Sequence, residues 1–267
     1  MKNLFLSICI LLYVNANAQT DSSKTKLFEL KLDNNAQSLK TIVWKDNKTK
    51  ITFFKADFDL DADGSPRAYN PQNTGLLHNA NGKDNGKLDG NWIAIVLQNK
   101  EPVIQDSAAP NPGYYISTTS LELSGYKKTD AKRYVDAEKF PYVALPGGKA
   151  RKYAQMGMKY GDVCLVVNMK NKKSMYALFA DVGPGAIAGE GSIYLANQLG
   201  IKTFIDKKGR IRGGTDAKDV LYICMPKSGK KTNDTISLNE IEELGNKASA
   251  TYGGKAKLIE DIMKMAE

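Results

Sequence analysis

Two acidic residues stand nine positions apart in "YALFADVGPGAIAGEGSIYLA", residues 176–196: Asp181 and Glu190. The residues between them are small or apolar, so little else in that loop can hydrogen-bond a ligand. Asp181 ends a strand-like apolar run, and Glu190 stands just before a helix predicted to begin near Ser192, so both acids are presented at one rim. Two carboxyl groups are what hydrolysis of a glycosidic bond needs, one to protonate the leaving oxygen and the other to activate water or attack the sugar. The glycines of the loop let the backbone approach a sugar ring closely. Spacing alone leaves a second reading open, in which the acids are caps and Glu190 merely favours the helix dipole.

A second acidic feature lies in "KADFDLDADGSPRAYNPQNTG", residues 55–75, where Asp57, Asp59, Asp61 and Asp63 occupy every other position. In an extended chain these side chains share a face and repel one another unless something positive neutralises them. A metal ion or an ammonium-bearing substrate would serve, and a turn network in which aspartates cap backbone donors is the structural alternative. From Asp59 the pattern D-x-D-x-D-G fits the opening of an EF-hand-type calcium loop, but its twelfth position is Asn70 and Pro66 lies inside it, which disfavours a tight site. We therefore assign no metal and no cofactor. Asp57, Asp59, Asp61, Asp63 and Tyr69 are taken as the substrate-binding set. Trp92, Tyr114 and Tyr115 are further stacking candidates, with the core as their alternative place.

Composition excludes other chemistries. His78 is the only histidine, which argues against Ser-His-Asp and Cys-His sites and against a His-rich zinc centre. The formal net charge is +9, yet the lysines are scattered through "KKTDAKR", "KNKK" and "KSGKK", a solvated basic surface rather than a nucleic-acid patch. The opening "MKNLFLSICILLYVNANAQT" has Lys2, an apolar run from Leu4 to Val14 and an Ala16-Asn17-Ala18 ending, the form of a signal peptide cleaved after Ala18. Secretion, extracellular or periplasmic, is the expectation, with no membrane span elsewhere. Cys9 leaves with the signal; Cys164 and Cys224 remain, either paired across neighbouring strands or as two buried thiols.

The elements that must carry these groups are mostly strands. Runs at "LFELKL", "TIVW", "ITFFK", "WIAIVLQ", "GYYISTTSLEL", "PYVALP", "DVCLVVNM", "SMYALFA" and "VLYICMP" read as strands. The Asp-, Asn- and Gly-dense stretch between 57 and 91 reads as a long loop of consecutive turns. Helices are expected from about Ser192 to Leu199, closed by Gly200, then from a capping box at Ser237 and Glu240, and over "KAKLIEDIMKMA". The fold class is β-rich α+β: a single domain on a mostly antiparallel sheet or a closed β-barrel, such as a double-psi-like one, with a few peripheral helices. Its organisation is signal peptide 1–18 and a mature domain 19–267, with a core of about 27–226 and a helical extension of about 237–267.

The segment "YALFADVGPGAIAGEGSIYLA" resembles the signature of the fungal-type chitosanases, glycoside hydrolase family 75: strand, Gly-Asp-Thr-Gly-Pro, turn, Gly-Glu-Ala-Ser, helix. "DFDLDADG" is similar to that family's D-x-D-x-D-G segment, and "FPYVALPGG" to its Pro-Tyr-Val-Val-Leu-Pro strand. The matches fall in family order over roughly residues 52–226. The resemblance implies Asp181 and Glu190 as the essential pair and an enzyme that cleaves chitosan internally with inversion. Inversion implies carboxyl groups about 6.5–9.5 Å apart. Glu190 is assigned as acid for its higher reference pKa and Asp181 as base, while the helix start argues the opposite. Ala180 replaces the family's glycine, Gly191 its alanine, and Ala62 stands where fungal members often carry a cysteine. The alternatives are a non-catalytic glycan-binding module, a calcium-stabilised extracellular domain, and a peptidoglycan hydrolase.

Overall fold

The computed structural model describes residues 23–32, 40–77, 92–185, 187–230 and 234–266. The segment read as a signal peptide, His78 and the turn-rich run up to residue 91 lie outside the described residues. In chain order the elements are β1 (Lys24–Lys31), β2 (Lys40–Asp46), β3 (Thr52–Asp61), β4 (Leu97–Gln98), β5 (Glu101–Pro102), a 3-10 turn (Ala131–Arg133), β6 (Tyr142–Pro146), α1 (Lys152–Gln155), β7 (Val163–Asn168), β8 (Ser174–Gly183), β9 (Glu190–Ser192), α2 (Ile193–Gln198), β10 (Thr203–Ile205), β11 (Ile211–Gly213), β12 (Thr215–Met225), α3 (Leu238–Ala250) and α4 (Lys255–Met265). The main sheet runs β1-β2-β3-β12-β7-β8-β6-β9, and a further pairing of β9 with β3 closes six of these strands into a mixed barrel. Closure leaves the barrel strands no free edge. Two pairings, β3–β9 and β6–β8, are parallel and the others antiparallel.

Alternation along the strands sorts the side chains into an inside and an outside. Phe54, Ala56, Phe58, Val143, Leu145, Cys164, Val166, Ala177, Phe179 and Tyr222 form one buried cluster with α2. Phe53, Tyr142, Leu165, Tyr176, Leu178, Leu221 and Ile223 form the other, covered by Ile241 of α3 and by Leu258 and Ile262 of α4. The two helices therefore roof part of the barrel's outer wall. Gly245 makes that approach possible, since a Cβ there would lie 2.2 Å from the Tyr176 ring. Each side chain of this size removed from water contributes about 1.5–3 kcal/mol.

Ser192 Oγ accepts the Leu195 N–H of α2; of the capping box expected at Ser237, Ser237 Oγ accepts the Glu240 N–H at 3.2 Å, while the Glu240 carboxylate pairs with Lys230 at 2.7 Å. Two expected strands are not regular. The 92–98 run gives only the two-residue β4, and 113–123 gives isolated bridges, Ile95 to Ser117, Ile104 to Tyr115 and Glu122 to Tyr134. Their apolar alternation reflects one-sided burial of long loops in small satellite clusters. Cys164 and Cys224 are directly opposed on β7 and β12, as buried free thiols with Sγ atoms 3.2 Å apart.

Candidate active site

Glu190 belongs to a strand rather than to a helix approach. It opens β9, where it is in register with Asp59 of β3 on one side and Ala144 of β6 on the other. Ala144 is in turn in register with Asp181 of β8. Residues in register present their side chains on the same face, so Asp181 and Glu190 flank the small Ala144 on one wall. With strands spaced about 4.8 Å, their Cα atoms lie roughly 10 Å apart, and the methyl between them leaves room for solvent.

A β-bulge aims Asp181. The β6–β8 register slips between Val143 and Ala144, so that Ala180 is an extra residue. Phe179 and Val182 face the barrel interior, whereas Leu178 and Ala180 face outward. Strict alternation would turn residue 181 inward; the bulge turns it out beside Ala144. The bulge's free carbonyl, that of Ala180, accepts the Leu121 N–H at 2.8 Å, which brings the 117–123 loop over the strand.

The result is an open cleft of about 590 Å³ whose lining includes Asp61, Asp63, Ser120, Ala144, Asp181, Gly183 and Glu190. Asp181 Oδ1 accepts three hydrogen bonds, from Ser120 N–H at 3.1 Å, Ser120 Oγ at 2.7 Å and Val182 N–H at 2.8 Å. Burial pushes its carboxyl up, and these bonds pull against that rise. Glu190 receives no such support among the described residues. Its Oε2 rests against Gly183, where a Cβ would come within 2.5 Å. Burial, then the charges of Asp61 and Asp181, push its carboxyl well above the ordinary range. Those effects outweigh the pull of the short helix that follows Ser192.

The aspartate stripe divides. Asp61 and Asp63 enter the cleft, Asp61 at the end of β3 and Asp63 in the turn beyond it. Asp61 Oδ1 accepts the Asp63 N–H at 2.8 Å. Burial and the neighbouring Asp181 push its carboxyl up to about 7. Asp63 is driven well up by burial, Asp61 and Asp181, and its Oδ1 accepts the Tyr69 hydroxyl at 2.8 Å. Asp59 sits beside Glu190 in register, outside the cleft lining. Asp57 is buried, its Oδ1 against Gly189 at a φ of +103°. Tyr69 is itself buried, so its visible contact is the bond to Asp63. Tyr115 is buried in a T-shaped contact with Trp92. Asp61, Asp63 and Asp181 each offer a carboxylate oxygen within 4.8 Å of the others, a trio able to hold a cation.

A family model described as fungal chitosanase of glycosyl hydrolase group 75 matches residues 58–251. The chain belongs to glycoside hydrolase family 75. The match runs beyond the region of visible motif resemblance and takes in α3. No curated protein matches the chain. Family 75 membership implies a glycoside hydrolase acting on a polysaccharide. At one departure from the family pattern, a β-carbon on Gly191 would meet Phe58 at 2.9 Å and the Tyr142 carbonyl oxygen at 3.0 Å, so here the glycine is needed for close packing. Among the described residues no helix is long and apolar enough to cross a membrane.

Sequence reasoning missed Ser120, Ala144 and Gly183. Ser120 lies 61 positions from Asp181, in a run whose only sequence signal was strand alternation. The bulge that aims Asp181 left no mark beyond the family glycine replaced by Ala180.

Proposed function

We propose that this family 75 protein is an exported endo-chitosanase that cleaves β-1,4-glucosaminidic bonds with inversion. Glu190 is the general acid and Asp181 the general base. The observation that carries the reading is the shared register of both acids with Ala144 across an open cleft, together with the family match. A separation that admits a water between sugar and base is the geometry inversion requires.

The environments divide the roles. Glu190, buried among acids and without a hydrogen-bond donor among the described residues, keeps its proton and can give it to the glycosidic oxygen. Three donors at Oδ1 favour the ionised form of Asp181, and its other oxygen is left to take a proton from the attacking water. Water attacks the anomeric carbon as the leaving oxygen accepts the Glu190 proton, so both carboxyls exchange their states in one turnover. Asp61 and Asp63 bind the glucosamine ammonium. That positive charge draws their protons off, so substrate binding and ionisation reinforce each other. The polycation reaches this cleft despite the net positive chain because exposed charges are screened beyond about 8–10 Å at ordinary ionic strength.

The test is reducing-end release from chitosan, acetylated chitin and peptidoglycan by wild type, Glu190→Gln and Asp181→Asn. Chitosan cleavage that falls by about 10²–10⁴ in each variant, with an unchanged melt, is expected. Activity untouched by either change removes the assignment, and preference for peptidoglycan replaces the substrate. The carboxylate trio favours one further reading, a calcium site; a large rise in melting temperature with calcium alone would support it.

A further inference from the structure

Among the described residues Tyr160 is one of the few large hydrophobic side chains left exposed, at 39%. It sits in the turn that leads into β7, on the side of β8 opposite β6. In strand order Glu190 on β9, Ala144 on β6 and Asp181 on β8 are followed by the turn of Tyr160, which stands at the margin of the cleft and not in its lining. Its mount is fixed. The Gly161 N–H donates to the Phe179 carbonyl at 2.9 Å and the Phe179 N–H to the Asp162 carbonyl at 2.7 Å, two residues from Asp181. One side of the phenol ring is packed, with centroids 5.0 Å from Phe179 and 5.6 Å from Tyr153. The hydroxyl lies 3.4 Å from that of Tyr153 and in the neighbourhood of Ser120, the residue that holds Asp181.

We propose that Tyr160 is a substrate-stacking residue: its open face receives the sugar bound next to Asp181, on the side away from Glu190. An aromatic face held by packing presents apolar area at little further entropic expense, and the C–H groups of a pyranose ring supply the matching surface. The platform extends the row of acids by one strand and thereby fixes the register of the polymer over the base. This inference rests on the glucosaminide reading above.

The experiment uses the mature protein and a glucosamine hexamer. Affinity is measured by calorimetry in Glu190→Gln, alone and with Tyr160→Leu, Tyr160→Phe or Tyr160→Trp, and KM and cleavage pattern are measured with the same changes in wild type. Tyr160→Leu should weaken binding and raise KM by roughly two- to tenfold, and shift the cleavage pattern, whereas Phe and Trp should stay within about twofold. Unchanged affinity in Tyr160→Leu overturns the proposal, as does a Phe variant as weak as the Leu one, which would place the effect in the hydroxyl. Should Tyr160→Leu not fold, the Tyr160 ring resonances in Glu190→Gln decide: they must move when the hexamer is added, and their constancy overturns the platform. If Glu190→Gln binds no hexamer and wild type cleaves no chitosan, the glucosaminide reading falls and the platform with it.

Discussion

Asp61 should cost this protein stability as the pH rises from 5 toward 8, and the loss can be sized. Burial and Asp181 push its carboxyl up to about 7, against about 3.9 for an aspartate in an unfolded chain. A carboxyl that holds its proton more tightly when folded contributes stability that is complete below the unfolded value and disappears as pH rises through the folded one. Each pH unit well inside that window removes about 1.4 kcal/mol, and because the group is half ionised at pH 7, Asp61 alone withdraws about 2 kcal/mol from pH 5 to pH 7. For a domain of this size that corresponds to a fall in melting temperature of roughly 4–8 °C. The window is chosen to leave ordinary ion pairs intact. Burial of Glu138 is outweighed by its bonds to Arg67 and Ser65, which hold its carboxyl low, so its contribution is in place above about pH 5. Thermal melts of wild type and Asp61→Asn at pH 5 and pH 8 are the assay. Asparagine can still accept the Asp63 N–H, so the two proteins should melt alike at pH 5 and the variant should melt higher at pH 8. A wild type that melts higher at pH 8 than at pH 5, or an Asp61→Asn protein with the full wild-type slope, refutes the reasoning.

Ser120→Ala removes one of three bonds to Asp181 and leaves the two backbone donors. Hydrogen bonds to the charged form hold a pKa down, so the acid limb of the activity profile should move up by about one pH unit, as read from kcat/KM on chitosan between pH 3 and pH 7. Gly183→Ala places a methyl where Glu190 Oε2 now lies; it should lower kcat by about tenfold or more with little change in melting, because a small misplacement of the acid is enough. Gly245→Ala drives a Cβ into the Tyr176 ring and should destabilise the protein by about 1–3 kcal/mol in urea unfolding while activity per folded molecule is kept.

The barrel strands were legible wherever burial is two-sided. "PYVALP", "DVCLVVNM", "SMYALFA" and "VLYICMP" are continuous apolar runs, and they became β6, β7, β8 and β12. The three helices announced by serine caps or amphipathic spacing were legible for the same reason, that local chemistry decides them. β9 was not, because Glu190-Gly191-Ser192 has no strand propensity of its own and is held by β3 and β6, both distant in sequence. At the site, the Asp181 and Glu190 pair was visible as residue types and spacing. What brings them onto one face was not, since a register slip and an Ala144 between them are properties of three strands together. The aspartate stripe shows the same limit. A loop was expected from residue 57, whereas β3 runs on to Asp61; beyond it a turn redirects Asp63, and the packing of Gly189 closes over Asp57.

The extra residue at Ala180 separates what residue 181 is from where it points. Closing that bulge, so that every residue of the strand is kept but alternates strictly, would leave every acid of the cleft in the chain and swing one carboxyl into the greasy lumen of the barrel. The reactive arrangement is thus encoded partly as a pairing, two residues of one strand set against one of its neighbour, which no inventory of side chains would reveal.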